Sequence, residues 1–205
     1  MAKIPTQSVY NKLEKSTMQR LSRTVPKLVS GKFDIEAWQD AVIGILADKH
    51  AAAATLGRNR AGDAAARGNL DDVLGQVVAT EEETYLHSFA QDVTGGRYTL
   101  EDGTLDGERI GKRLNLYSRK LLGTCNEAFV QASELGATFD WHLGAVEDHC
   151  KGSFACPDLA KNSPYTAQSI PTYPRAGATP CLFHCKCALV RHDGVTGFNP
   201  PDLQL

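Results

Sequence analysis

The stretch His149-Cys150-Lys151-Gly152-Ser153-Phe154-Ala155-Cys156, answered by Thr179-Pro180-Cys181-Leu182-Phe183-His184-Cys185-Lys186-Cys187, decides how this chain is divided. It carries five of the six cysteines, in a region where prolines and glycines replace apolar periodicity. The intervening run from Asn162 to Pro180 reads as coil. Ordering a coil of that length is entropically costly unless its ends are pinned, and cysteines sit at both ends.

The spacing is Cys150-x5-Cys156, then Cys181-x3-Cys185-x-Cys187, with His149 and His184 adjacent and Asp148 just upstream. Structural zinc takes four tetrahedral ligands, mostly thiolates with some imidazole, delivered as close pairs from separate turns. Here the fit is irregular. The first gap is wider than the usual roughly two to four residues, Cys-x-Cys is tighter, and five thiols exceed what one ion needs. Zinc through Cys150, Cys156, Cys181 and either Cys185 or Cys187 is one reading. Disulfides are the other, with two bridges and a spare thiol. Either clamp meets the same need, because a segment with so few large apolar residues cannot build its own core, and a structural zinc contributes on the order of 10 kcal/mol to folding.

Upstream of Gly136 the residues read as helix. Ser8 to Lys27 is a helix or an arm, with Val9, Leu13 and Leu21 loosely periodic and Pro26 as a breaker. Asp34 caps a helix over about 34 to 56, carrying Trp38, Val42, Ile45, Leu46, Ala53 and Leu56 at steps of three and four. Asn69 caps the next, in which Val73, Val77, Tyr85 and Phe89 form one row and Leu74, Val78 and Leu86 the adjacent one. Glu81, Glu82 and Glu83 are expected to form a solvated face. That helix ends near Asp92, and Arg97 to Leu100 is long enough for one short strand. A further helix begins at Asp106 and carries Ile110, Leu114, Tyr117, Leu121, Cys125, Ala128 and Ala132 as one stripe. A thiol on such a stripe behaves as a small core hydrophobe, so Cys125 is set apart from the clamp.

A formal net charge of -2 gives no electrostatic reason for wholesale nucleic-acid binding. The start of the chain lacks the apolar region of a signal peptide, and no stretch approaches the roughly 18 apolar residues that span a bilayer. A cytoplasmic setting is therefore expected, where thiols stay reduced and clustered cysteines more often hold metal. Pro180-Cys181 and Cys185 invite comparison with the Pro-Cys-x-x-Cys of zinc deaminases, but the spacing is x3 and the His-x-Glu is missing, His142 being followed by Leu143 and Gly144. His-Glu-x-x-His, a nucleophile elbow and a phosphate-binding glycine loop are also missing from the sequence. His142, His149, His184 and His192 read as surface or supporting histidines, and Arg175, Lys186 and Arg191 as a weak basic patch. No catalytic or cofactor-binding residue is assigned.

Trp141, Glu147-Asp148-His149-Cys150, Cys156-Pro157-Asp158-Leu159-Ala160, Ser163-Pro164-Tyr165-Thr166, Ile170-Pro171-Thr172, Thr179-Pro180-Cys181 and Cys185-Lys186-Cys187-Ala188-Leu189 follow one another in an order that resembles the C-terminal signature of tailed-phage head morphogenesis proteins. These are the minor head proteins similar to protein F of phage Mu. The resemblance covers about residues 141 to 190. Two departures bear on the ligand set: the first cysteine pair is usually two residues apart, and many relatives have His where this chain has Cys181.

The resemblance implies a virion structural or assembly protein without catalytic activity, present in few copies near the portal and located in the virion, or in the host cytoplasm during assembly. Its partners would be other head proteins, the portal and major capsid proteins among them, and the packaged DNA. An oligomer is compatible with this, and a membrane is not involved. The fold expected is mainly α: a helical body over 1–139, followed by a small loop-rich module over 140–205 with few short strands. That module is clamped by zinc or disulfides through Cys150, Cys156, Cys181, Cys185 and Cys187. Two other readings make different predictions. A zinc-dependent hydrolase or deaminase using Glu147 needs an open coordination position and a pocket beside that residue. A host cytoplasmic zinc-ribbon binding module needs a basic groove beside the clamp.

Overall fold

The computed structural model describes residues 4–63 and 65–199, so the ends of both expected regions, residues 1–3 and 200–205, lie outside the described residues. In chain order the elements are α1 (Gln7–Ser22), α2 (Val25–Val29), α3 (Ile35–Ala61), α4 (Asn69–Thr94), α5 (Gly107–Leu114), α6 (Leu121–Gln131), β1 (Thr138–His142), α7 (Cys156–Lys161), β2 (Tyr165–Thr166) and β3 (Ala188–Arg191). The fold is mainly α, with a loop-rich, cysteine-bearing C-terminal part around a small sheet.

Pro26 ends no helix from within; it sits in the first turn of α2, where its missing N–H costs nothing. Asp34 caps α3 as its position predicts, its carboxylate accepting from the Ala37 N–H at 2.8 Å. The helix runs past the expected end to Ala61 and stops at Gly62, whose φ of 111° lies in the left-handed region. The cap of α4 is Gly68 instead of Asn69. The Asp71 carboxylate accepts from the Gly68 N–H at 3.0 Å, and also from Thr55 at 2.9 Å and Arg58 at 2.7 Å, so the start of α4 is tied to α3.

Which row of α4 turns inward is decided by its smallest residue. Gly75 lies so near α3 that a Cβ there would come within 2.5 Å of the Ala47 carbonyl oxygen, which brings the two backbones together on that side. Val78, Leu86 and Phe89 are buried as a result, while Val73, Val77 and Tyr85 stay 59%, 50% and 61% exposed. The acidic run divides as well. Glu81 and Glu83 face solvent, but Glu82 is buried and meets Lys120 at 2.6 Å, a correction to the expected solvated face.

The long helix expected from Asp106 breaks after Leu114. A 3-10 turn at Tyr117–Lys120 separates α5 from α6. Even so, Ile110, Leu114, Tyr117, Leu121, Cys125 and Ala128 all remain buried, because the tighter turn keeps the three-residue step pointing the same way. Thr99 and Leu105 form an isolated bridge around a turn where a strand was expected.

β1 is the centre of a three-stranded antiparallel sheet of order β2-β1-β3. Its alternation sends Phe139 and Trp141 inward. Phe139 meets Phe129 of α6 edge to face at 5.7 Å, joining the sheet to the helices. The same apolar cluster contains Cys156, Cys185 and Cys187. At the other side of α6, Phe198 stacks on Tyr10 of α1 at 5.7 Å, and Gln7 and Asn199 hydrogen-bond reciprocally.

Candidate metal centre

Two turns bring the thiols together. The first follows β1 and ends in α7, where Ala155 is extended, Cys156 opens the helix and Pro157 occupies its first turn. The second runs from Thr179 through a 3-10 turn at Leu182–His184 into β3, so that the pairing of β3 with β1 fixes where Cys187 sits. Both turns are tight enough to force a non-glycine residue into the left-handed region: Phe154 at φ 58° and Leu182 at φ 48°. For such side chains this conformation is strained, and the surrounding contacts must hold it.

The five sulfurs form two overlapping triads, Cys150–Cys156–Cys181 and Cys156–Cys185–Cys187, with the atoms of each triad within 4.8 Å of one another. Cys156 is common to both. Its Sγ lies 3.5 Å from that of Cys181 and 3.6 Å from that of Cys185. Thiolates at the corners of a tetrahedron around zinc, with bonds of about 2.3 Å, are about 3.8 Å apart, so these separations are close to those of ligands. Disulfide sulfurs stand about 2.05 Å apart, and all six cysteines are unbridged. The disulfide alternative is therefore not adopted, and the cluster can hold a metal ion.

The triads differ in exposure. Cys156, Cys185 and Cys187 are buried, whereas Cys150 and Cys181 are half-buried. Their proton affinities differ too. Hydrogen bonding within the inner triad, from Cys156 first and then Cys185, with the Gly144 N–H adding to it, holds Cys187 below the ordinary thiol range against the opposing effect of burial. Its neighbours Cys156 and Cys185 are raised. Burial pushes Cys150 up, but the Cys156 N–H, donating to its sulfur at 3.2 Å, and the nearby thiols outweigh it, leaving Cys150 below the ordinary range.

Two residues that spacing could not assign act on Cys187. Gly144 approaches the Lys186 carbonyl so closely that a Cβ would collide with it, and this contact lets the Gly144 N–H reach Cys187. The buried indole N–H of Trp141 has no hydrogen-bond partner among the described residues, and the indole adds a last, small downward effect on the proton affinity of Cys187. Arg175, 3% exposed, donates from Nε to the Cys185 carbonyl at 3.0 Å and braces the second turn from behind.

The histidines take other places. Among the described residues none joins the sulfur triads. His184 Nδ1 lies 2.9 Å from Arg119, and His192 lies 3.5 Å from Glu134. Glu147 is exposed. Cys125 is fully buried between α6 and α3, its Sγ donating to the Ala53 carbonyl at 3.2 Å, which is the core role expected of it.

In comparisons with protein families, curated proteins and solved structures, no match to this chain is found. Its function has to be argued from the site.

Proposed function

We propose that the cluster holds one structural zinc ion through Cys156, Cys185, Cys187 and one of the outer pair, Cys150 or Cys181. We further propose that the chain is a non-enzymatic assembly protein of a tailed-phage head, a minor head or head-completion protein acting near the portal. The observation that carries the first part is the convergence of two turns on Cys156, which both triads share. An all-thiolate set saturates zinc and leaves no position for water or substrate, whereas catalytic zinc keeps one open. Glu147, the acid/base a hydrolase would need, is exposed and lines none of the main cavities.

The second part rests on the resemblance between Trp141 and Leu189, and the roles of its residues support it. Trp141 is buried in the same apolar cluster as Cys156, Cys185 and Cys187, Cys156-Pro157 opens α7, and Ala188-Leu189 enters β3. Its partners would be the portal and major capsid proteins, and the packaged DNA, in the virion and in the host cytoplasm during assembly.

Metal analysis with thiol counting on protein purified under reducing conditions tests the clamp. One zinc per chain is expected, with a single thiol reacting freely; a folded, metal-free protein with five reactive thiols would refute it. Mass spectrometry of gradient-purified particles tests the assembly reading. A few copies per particle are expected, and absence from particles that contain portal and capsid proteins would sink it.

A further inference from the structure

Leu70, Val73, Val77 and Thr80 recur along the outer side of α4 at steps of three, four and three, the spacing with which a helix presents one seam to another helix. Leu70 is 84% exposed, Val73 and Val77 are at least half exposed, and none of the three belongs to an apolar cluster of the described residues. Single exposed aliphatic side chains are ordinary on a protein surface, but three within about two turns form a patch that water disfavours. The chain does not cover this patch itself. Gly75 holds the opposite side of α4 close against Ala47 and Ala51 of α3, so the seam points away from the helical body. Thr80 belongs to the seam without harm, because its hydroxyl already donates to the Gln76 carbonyl at 2.9 Å and covering the side chain strands no polar group.

The seam is complementary to itself when reversed. With two copies of α4 antiparallel, and Val73 of each opposite Val77 of the other, Leu70 falls opposite Thr80 at both ends, so a large residue meets a small one. The charges agree with this register. Arg67, just before the helix, then comes within reach of Glu83 of the second copy, whereas an in-register parallel pair would set Arg67 against Arg67 and Glu83 against Glu83. Glu83 is exposed and has no ion-pair partner among the described residues. Arg67 directs Nε to Asp72 at 2.6 Å and Nη1 to Asp48 at 2.9 Å, which leaves its Nη2 donors for a further carboxylate.

We infer that α4 is a self-association face: two copies of this chain pair antiparallel through Leu70, Val73, Val77 and Thr80, about a two-fold axis at the level of Gly75. The contact is isologous, each copy giving and receiving the same residues. A seam of about three turns makes a small interface, so monomer and dimer exchange at micromolar concentrations. The pairing goes beyond the assembly reading and rests on neither that reading nor the metal.

Sedimentation velocity of the full chain, purified without chelator and run between roughly 1 and 300 µM, tests the pairing. The weight-average coefficient should climb from that of a monomer towards that of a dimer. Val73→Lys and Val77→Lys should each raise the concentration of half-association by about tenfold or more, and Glu83→Lys, which sets like charges at both ends of the seam, should raise it too. Leu135→Lys is the control, since Leu135 is 95% exposed but lies outside the seam, and it should associate as the wild type does. Thermal melts check that the variants keep the fold. Benzoylphenylalanine in place of Leu70 should, on irradiation, join the peptide around Thr80 of the second copy. The pairing is overturned if the wild type stays monomeric throughout, which would leave the seam to a different protein. It is equally overturned if the Val73 and Val77 variants associate undiminished, or if the cross-link maps away from α4.

Discussion

The ammonium of Lys120, at the end of the 3-10 turn, lies 2.6 Å from the carboxylate of Glu82 on α4, and both side chains are withdrawn from solvent. Burial opposes the charge on Lys120, but attraction to Glu82 together with Glu81 at 3.2 Å outweighs it and holds the ammonium above its ordinary value, while burial leaves the Glu82 carboxyl above its own. Pairs of this kind add little net stability over an apolar pair of the same shape, but removing one partner strands the other charge. Lys120→Met should therefore cost about 3–5 kcal/mol in urea denaturation. Glu82→Leu combined with Lys120→Met should recover most of that loss. Equal losses in the single and double variants would show that the pair is not the cause.

The shared position of Cys156 makes the five cysteines unequal. Cys156→Ser removes a member of both triads and should abolish zinc retention, read as zinc per chain after gel filtration. Cys150→Ser and Cys181→Ser should each keep one zinc, because the other outer thiol completes the set, while the double substitution should lose it. Retention by Cys156→Ser would refute the arrangement.

The helices were legible because their caps and stripes are local: Asp34 and the buried steps from Ile110 to Ala128 needed no knowledge of partners. What failed was whatever a neighbouring element decides. The inward row of α4 follows from Gly75 against Ala47, and the burial of Glu82 from Lys120 nearly 40 residues away, and neither appears in periodicity. At the cysteines, spacing picked out the five thiols that the fold brings together but not their grouping. That depends on a strand pairing, β1 with β3, which sets Cys187 beside Trp141 and Gly144. Trp141 was singled out only by the resemblance of its surroundings; Gly144 gave no signal.

His50 is fully buried, with Nδ1 2.7 Å from the Thr124 hydroxyl, and burial brings its pKa down to about 3. In the unfolded chain the ring takes a proton near pH 6.5, so between pH 6.5 and 3 the unfolded state binds more protons and stability falls with pH. Relative to His50→Gln, the wild type should lose about 2 kcal/mol more between pH 7 and pH 5. Denaturation curves of the two proteins that shift in parallel would count against it.

Two glycines of α3 should respond in opposite directions to the same substitution. A Cβ at Gly57 would run into the Cys125 carbonyl of α6, so Gly57→Ala should cost about 1–3 kcal/mol by forcing the helices apart. Gly44 meets nothing within 4 Å, and Gly44→Ala should stabilise the helix by up to about 1 kcal/mol. Thermal melts of the pair are the check, and destabilisation by both would show that α3 tolerates no alanine for reasons other than this contact.

The hydrogen bonds between Gln7 and Asn199 join residues 192 positions apart. Of the described helices α1 emerges from the ribosome before the others, and Phe198, which completes the cover of Tyr10 begun by Ala53, Leu56 and Leu121, is made almost 190 residues later. The earliest of these helices is thus the last to be fully docked, its aromatic side chain only partly covered until the C-terminal segment folds back over it.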